Sequence, residues 1–247
     1  MRKLLIAFVT AVAFAATGTV ASADQKSWTG LSIGIGGGGG AVVHDLTVLP
    51  GTLVPPGTFD FGFDGIGAEG AFGTVGVGLD YQLGSNWVIG AFADYDFSDI
   101  ETTINLSVPP LGGLNASGDI KLNDVWTIGG RLGYLTSPNT LVYGLIGYSR
   151  ANFDDLTLTV SGPVAASATV GIPSFDGWSA GFGMETLLGH NLSLKGEYRY
   201  SEFDRESLST GLETLIDTRL EPSMHTGRLS VNYKFNFDRS VEPAPLK

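Results

Sequence analysis

Polar and apolar residues alternate with a period of two along most of the chain. In WVIGAFADYDFS, Trp87, Ile89, Ala91, Ala93, Tyr95 and Phe97 fall on one face, while Val88, Gly90, Phe92, Asp94, Asp96 and Ser98 fall on the other. Side chains of a strand point alternately to its two sides, so this spacing predicts strand and not helix. LSLKGEYRYS repeats the pattern, with Leu192, Leu194, Gly196, Tyr198 and Tyr200 opposite Ser193, Lys195, Glu197, Arg199 and Ser201. HTGRLSVNYKFNF places His225, Gly227, Leu229, Val231, Tyr233, Phe235 and Phe237 opposite Thr226, Arg228, Ser230, Asn232, Lys234 and Asn236. With similar alternation at 28–43, 70–83, 119–135, 141–153 and 177–188, the pattern predicts eight strands and no amphipathic helix.

The connections alternate in length as well. Gly84-Ser85-Asn86, Thr136–Thr140 and Gly189-His190-Asn191 are short and rich in turn formers. The others, near 44–69, 99–118, 154–176 and 202–222, are long and rich in Asp, Glu, Gly or Pro. Short turns at one end and long loops at the other are the plan of an all-β, eight-stranded antiparallel up-and-down transmembrane barrel, with short periplasmic turns and four long extracellular loops.

Alternation alone does not say which face points inward. A soluble calyx would bury the apolar face around a hydrophobic ligand. Two features favour the inverted arrangement. The polar face carries many of the chain's 36 glycines beside a few long charged side chains, as a narrow lumen requires. Aromatic residues also gather at predicted strand ends: Trp28, Tyr81, Trp87, Tyr134, Tyr233 and Phe235 beside the short turns, and Tyr95, Phe97, Trp178 and Tyr200 beside the long loops. Two such girdles mark the two faces of a bilayer.

Residues 1–23 read as a secretory signal peptide. Arg2 and Lys3 precede the apolar run Leu4 to Ala16, and Ala21-Ser22-Ala23 fits a small-residue cleavage site. The barrel is then expected over 24–237, with a short periplasmic tail at 238–247. Removing the two basic residues of the signal from the 14 in the chain leaves 12 against 25 acids, a formal charge of −13. Such an excess disfavours contact with nucleic acid. The absence of cysteine excludes disulfides and thiolate metal sites.

Gly34-x-Gly36-x-x-Gly39 has the spelling of a dinucleotide loop, but that fold needs a helix directly after the glycines. Prolines at 50, 55 and 56 follow instead, so the glycines read as a strand with a small lumen face. The inward parity gathers Asp80, Asp94, Asp96, Lys121, Arg131, Glu185, Lys195, Glu197, Arg199, Arg228 and Lys234, five acids against six bases. Packed in a narrow lumen they are expected to pair, because an unpaired charge there loses hydration without compensation. The set then forms either a salt-bridged plug or a gated ion path in which Glu197 exchanges partners among Lys195, Arg199 and Arg228. Asp124 falls on the lipid parity and is expected at the outer rim.

Catalysis would need a histidine converging with a hydroxyl and an acid. His44 with Asp45 and Ser98 is the nearest arrangement among His44, His190 and His225, and nothing fixes these groups together, so no enzyme and no cofactor are expected. Asp60, Asp64, Asp154, Asp155, Glu202, Asp204 and Glu206 could bridge divalent cations at an anionic lipid surface, but their spacing matches no calcium loop and favours simple solvation.

Three stretches carry a family resemblance: WTGLSIGIGGGGG from Trp28, PNTLVYGLIGY from Pro138 and HTGRLSVNYKF from His225. Together they resemble the small alphaproteobacterial outer-membrane barrels called outer-membrane immunogenic or porin-family proteins, relatives in architecture of the OmpA transmembrane domain. The resemblance implies a place in the bacterial outer membrane and a structural, envelope-stabilising and surface-antigen role. A small porin and a loop-mediated binder of a host molecule or haem-like ligand are the alternatives. It further implies contact with outer-membrane lipid and lipopolysaccharide, and assembly through a terminal aromatic read by the barrel-assembly machinery. Family chains end near Phe235, whereas this one continues through Asn236 to Lys247, so that signal falls on Phe235 or on Phe237, which shares its face.

Overall fold

The computed structural model describes residues 27–58, 61–108, 114–161, 166–189, 191–207 and 216–236. The predicted signal segment 1–23, Phe237 and the tail 238–247 lie outside them. Eleven strands run through the described residues: β1 (Gly30–Pro50), β2 (Phe61–Leu83), β3 (Trp87–Val108), β4 (Leu114–Ser137), β5 (Thr140–Phe153), β6 (Leu156–Ser161), β7 (Ala166–Val170), β8 (Phe175–Gly189), β9 (Leu192–Phe203), β10 (Glu206–Ser207) and β11 (Ile216–Asn236). Eight of them close an antiparallel barrel in the order β3-β2-β1-β11-β9-β8-β5-β4, with β4 returning to β3. The hairpin β6–β7 extends the upper part of β4, and β10 pairs with β11.

The short turns are where the glycines need their freedom. Gly84 turns β2 into β3 at φ 63°, and Gly189 with Asn191 turns β8 into β9 at φ 103° and 65°. All three values lie in the left-handed region that glycine and asparagine tolerate best.

The strands reach further than the first breaks in alternation suggest. β1, β2, β3, β4 and β11 are 21 to 24 residues long, whereas β5, β8 and β9 have 14, 15 and 12. Much of 44–69, 99–118 and 202–222 is therefore strand, because period-two spacing persists through their acidic and glycine-rich stretches. The wall stands taller on one side than on the other.

The wall is turned inside out relative to a soluble barrel. Ile35, Ile146 and Phe182 are 67%, 65% and 62% exposed on the outer surface, while Asp80, Glu185, Arg199 and Arg228 are at most 2% exposed inside. The outer apolar band runs between Trp87 and Phe97 on β3. Those ten residue steps, at about 3.3 Å each and a strand tilt of about 40°, give a height of about 25 Å, the thickness of an outer-membrane hydrocarbon core. Aromatic pairs edge the band. Trp87–Tyr134 and Tyr233–Phe235 stand at the short-turn end, and Tyr95–Phe97, Trp126–Tyr148 and Trp178–Tyr200 at the other.

Trp28 is a correction to the predicted girdle. It is 1% exposed and lies inside the barrel, where its indole N–H donates to the carbonyl oxygen of Pro138 at 3.2 Å. It joins Val88, Phe92, Leu135, Leu141, Tyr143 and Leu145 in an apolar cluster inside the lower lumen. A second apolar cluster, including Val42, Ile100, Leu122, Val125, Phe175, Phe203, Leu220 and Met224, fills the upper part. Between the two lies the polar interior.

Candidate functional site: the charged lumen

Strand parity delivers the charges and strand pairing sets their height. Across 51 positions of sequence, Arg131 on β4 reaches Asp80 on β2 with parallel hydrogen bonds, Nε to Oδ1 at 2.9 Å and Nη2 to Oδ2 at 2.6 Å. Its Nη1 lies 3.1 Å from Glu185 on β8. Lys234 on β11 completes this lower group, donating to Asp80 at 3.0 Å and lying 3.3 Å from Glu185. Ser193 donates to the same Glu185 carboxylate at 2.6 Å.

An upper group is built around Glu197 and Arg199, two positions apart on β9 and so on one face. Arg199 Nη2 donates to Asp94 at 2.8 Å and to Glu197 at 2.6 Å. Arg228 holds both oxygens of Asp96 at 3.2 and 3.0 Å. The Tyr143 hydroxyl donates to Glu197 at 2.9 Å and ties the upper group to the lower, because the Arg131 guanidinium lies over the Tyr143 ring at 5.0 Å. Lys195 Nζ stands 4.0 Å from Glu197, the longest of these charge contacts.

Four of the cations also lie over aromatic rings: Arg131 over Tyr143, Arg199 over Phe92, Arg228 over Phe72 and Lys234 over Trp28. A ring face attracts a cation and at the same time excludes water from it, which strengthens every pairing nearby. Alternation alone gives Tyr143, Phe92 and Phe72 no role and puts Trp28 in the girdle. The signal was present for Phe72 and Phe92, which share the inward parity of the lumen acids.

Lys121 stands apart from the set. Leu122 to Asp124 on β4 is two steps against one on β5, from Phe153 to Asn152, so Asn123 is an extra residue. A single inserted residue reverses which side chains face inward. Leu122 is therefore buried at 2%, and Lys121 sits opposite Glu101 on the other face. Without Lys121 the interior holds, among the described residues, five carboxylates, Asp80, Asp94, Asp96, Glu185 and Glu197, and five cations, Arg131, Lys195, Arg199, Arg228 and Lys234.

Above the ions, Thr127, Ser149, Ser179 and Ser201 form a row of hydroxyls across β4, β5, β8 and β9, joined by hydrogen bonds of 2.8, 2.5 and 2.6 Å. Small hydroxyls satisfy one another where the wall leaves no space for longer side chains. The interior thus stacks apolar, ionic, hydroxyl and apolar layers from the short-turn end upward.

Outside the lumen, Asp124 lies opposite Phe97 at the upper edge of the apolar band and accepts a 2.7 Å hydrogen bond from Asn152. His225 faces outward with its Nδ1 2.7 Å from the Tyr198 hydroxyl. His44 is paired through its backbone with Ile66 and Pro222, and His190 lies outside the described residues. Among the described residues no three His, Asp or Glu side chains stand together as a metal site. Asp60 is outside those residues. Phe235 is 43% exposed on the outer face, stacked edge-on against Tyr233 at 4.8 Å.

The family model for the outer membrane protein beta-barrel domain matches residues 10–235. The 31 kDa outer-membrane immunogenic proteins of Brucella melitensis and Brucella suis are each 28% identical over 221 residues, which is 88% of this chain and 88% of each relative. Among solved structures, the outer membrane protein OprG from Pseudomonas aeruginosa aligns with 87% of this chain and 100% of its own, at 16% identity and a TM-score of 0.49.

Proposed function

Because the chain belongs to the outer membrane protein beta-barrel family, we propose that it is a structural barrel of the envelope whose lumen is closed by its own salt bridges and whose far end is displayed as a surface antigen. The protein resides in the bacterial outer membrane. The observation that carries the closed lumen is the balance of five buried carboxylates against five cations, nearly all in contact at 2.6–3.3 Å and capped on both sides by apolar clusters. Ions crossing such a stack would have to strip these pairs and then enter apolar layers, where an unpaired charge is costly.

The display reading is supported by the tall side of the wall. β1, β2, β3, β4 and β11 carry strand past the upper aromatic edge, and Asp45, Glu69, Glu101, Asp204 and Glu206 are exposed there. An acidic rim suits contact with lipopolysaccharide through bridging cations and solvent. Phe235, exposed beside Tyr233 near the end of β11, or Phe237 two positions on, serves as the aromatic read by the barrel-assembly machinery.

Planar-bilayer recording tests the closed lumen. Protease-resistant, inserted barrels are expected to show no discrete conductance steps, either as wild type or as Glu197→Ala. Steps in the wild type that change in size or gating with Glu197→Ala would replace the structural reading with that of a small porin.

A further inference from the structure

Among the described residues five cations lie in the lumen, but they are not equally engaged. Arg131, Arg199, Arg228 and Lys234 each hold a carboxylate oxygen at 3.0 Å or closer, whereas Lys195 has only the 4.0 Å contact with Glu197. Glu197 in turn serves Arg199 and the Tyr143 hydroxyl at 2.6 and 2.9 Å, and Arg228 Nε at 3.7 Å. Lys195 therefore retains ammonium protons with no acceptor at hydrogen-bond distance.

Ser230 is the register partner of Lys195 across the β9–β11 pair, so the two side chains flank one spot on the inner wall. Ser230 is 6% exposed and its Oγ has no hydrogen-bond partner; Arg228 Nε, one inward position away, has none either. Both residues, with Lys195 and Asn232, line a mid-lumen cavity whose facing wall is opened by glycines Gly34, Gly76 and Gly78. A Cβ on Gly34 would run into Asn232 Oδ1, one on Gly76 into Asp94 Oδ1 and one on Gly78 would meet Ser32 Oγ at 2.7 Å, so the polar side chains that border the cavity lie directly over these glycines. The cavity, about 20 Å³, has room for about one water-sized occupant.

Three groups at the cavity with no hydrogen-bond partner can donate, an ammonium, a guanidinium N–H and a hydroxyl; Glu185 Oε2 also has none but is neutralised by Arg131 Nη1 at 3.1 Å. The carboxylates that also reach the cavity are already held, Asp94 by Arg199 at 2.8 Å and Glu185 by Arg131 at 3.1 Å. A site that offers buried donors and little volume selects an acceptor with no protons of its own and no substituents. We propose that this cavity binds a single monatomic anion of the halide class between Lys195 Nζ, Ser230 Oγ and Arg228 Nε. The small volume favours a monatomic anion over sulfate, phosphate or a carboxylate. The site stands whether or not the lumen conducts, so conductance and halide binding can each fail without the other.

Thermal unfolding of the full-length protein purified from outer membranes, in detergent at constant ionic strength, tests the site. Replacing sodium gluconate by sodium chloride or bromide is expected to raise Tm saturably, by about 5 °C at a large excess over the dissociation constant. Lys195→Met should abolish the halide increment, and Ser230→Ala should weaken it while keeping the fold. Equal Tm in gluconate and chloride, or an undiminished increment in Lys195→Met, would overturn the proposal. A bromide-soaked crystal decides independently of the variants: anomalous density beside Lys195 Nζ supports the site, and a cavity holding only water refutes it.

Discussion

Asp80 accepts three hydrogen bonds from two cations, and Arg131 supplies the two that run parallel, at 2.9 and 2.6 Å, while both residues are almost fully buried. The third comes from Lys234 at 3.0 Å. This asymmetry makes Asp80 the residue whose loss strands the most charge. Breaking a buried pair by removing one partner costs about 3–5 kcal/mol, because the survivor stays buried and unmatched.

Asp80→Ala is therefore expected to destabilise the barrel by about 3–5 kcal/mol, leaving Arg131 and Lys234 dependent on Glu185 alone. Arg131→Met should cost less, since Asp80 keeps Lys234 and the methionine fills most of the guanidinium's space. Urea unfolding of the two variants, refolded into the same detergent, gives the order directly. Equal losses would mean that Lys234 contributes nothing to holding Asp80.

Depth in the bilayer sets the second expectation. Val77 is 49% exposed and pairs with Ile33 and Ala93 near the middle of the apolar band, whereas Leu53 is 74% exposed in the connection between β1 and β2. Val77→Arg should cost about 2–4 kcal/mol in a lipid bilayer, the range for a midplane cation on the lipid face of a barrel. Leu53→Arg should be neutral. Similar folding of both in lipid vesicles would contradict the inside-out wall.

How much of this was legible in the sequence depends on whether a feature is local. Alternation in WVIGAFADYDFS places Asp94 and Asp96 inside because facing depends only on parity along one strand. The pairing of Arg228 with Asp96 bridges 132 positions and depends on how eight strands are staggered, which no local pattern states. Alternation puts Lys121 inward because the extra residue at Asn123 leaves no compositional trace, and every parity before it on β4 is reversed. An aromatic at a strand end suits a membrane interface, so the sequence alone points Trp28 to the girdle; its actual place under Lys234 is set by β11 closing against β1.

Glycines on the two faces of the wall should respond differently to a methyl group. At Gly38 a Cβ would run into the Gly227 carbonyl oxygen and stand 2.7 Å from Phe72 Cζ, displacing the ring that lies over Arg228. At Gly73 it would meet nothing within 4 Å. Gly38→Ala should cost about 1–3 kcal/mol as overpacking, while Gly73→Ala should be neutral or slightly stabilising by restricting the unfolded chain. Denaturant midpoints for the two alanine variants check this, and a loss at Gly73 matching that at Gly38 would mean that backbone strain, rather than lumen space, governs both.

The two apolar clusters act as seals in series, and that arrangement has a consequence for conductance. Trp28 is the largest side chain of the lower cluster and Phe175, fully buried and edge-on to Phe153 at 5.5 Å, is central to the upper one. Removing either opens one layer only. Trp28→Ala should lower stability by about 3–5 kcal/mol through the cavity it leaves and the loss of the ring beneath Lys234, yet remain silent in a bilayer because the upper cluster still excludes water. Phe175→Ala should be silent for the converse reason. The double variant is expected to show small, noisy steps, since both dewetted layers are then breached and the ion pairs between them become hydrated. Conductance in Trp28→Ala alone would place the whole barrier at the short-turn end and assign the upper cluster a purely structural role.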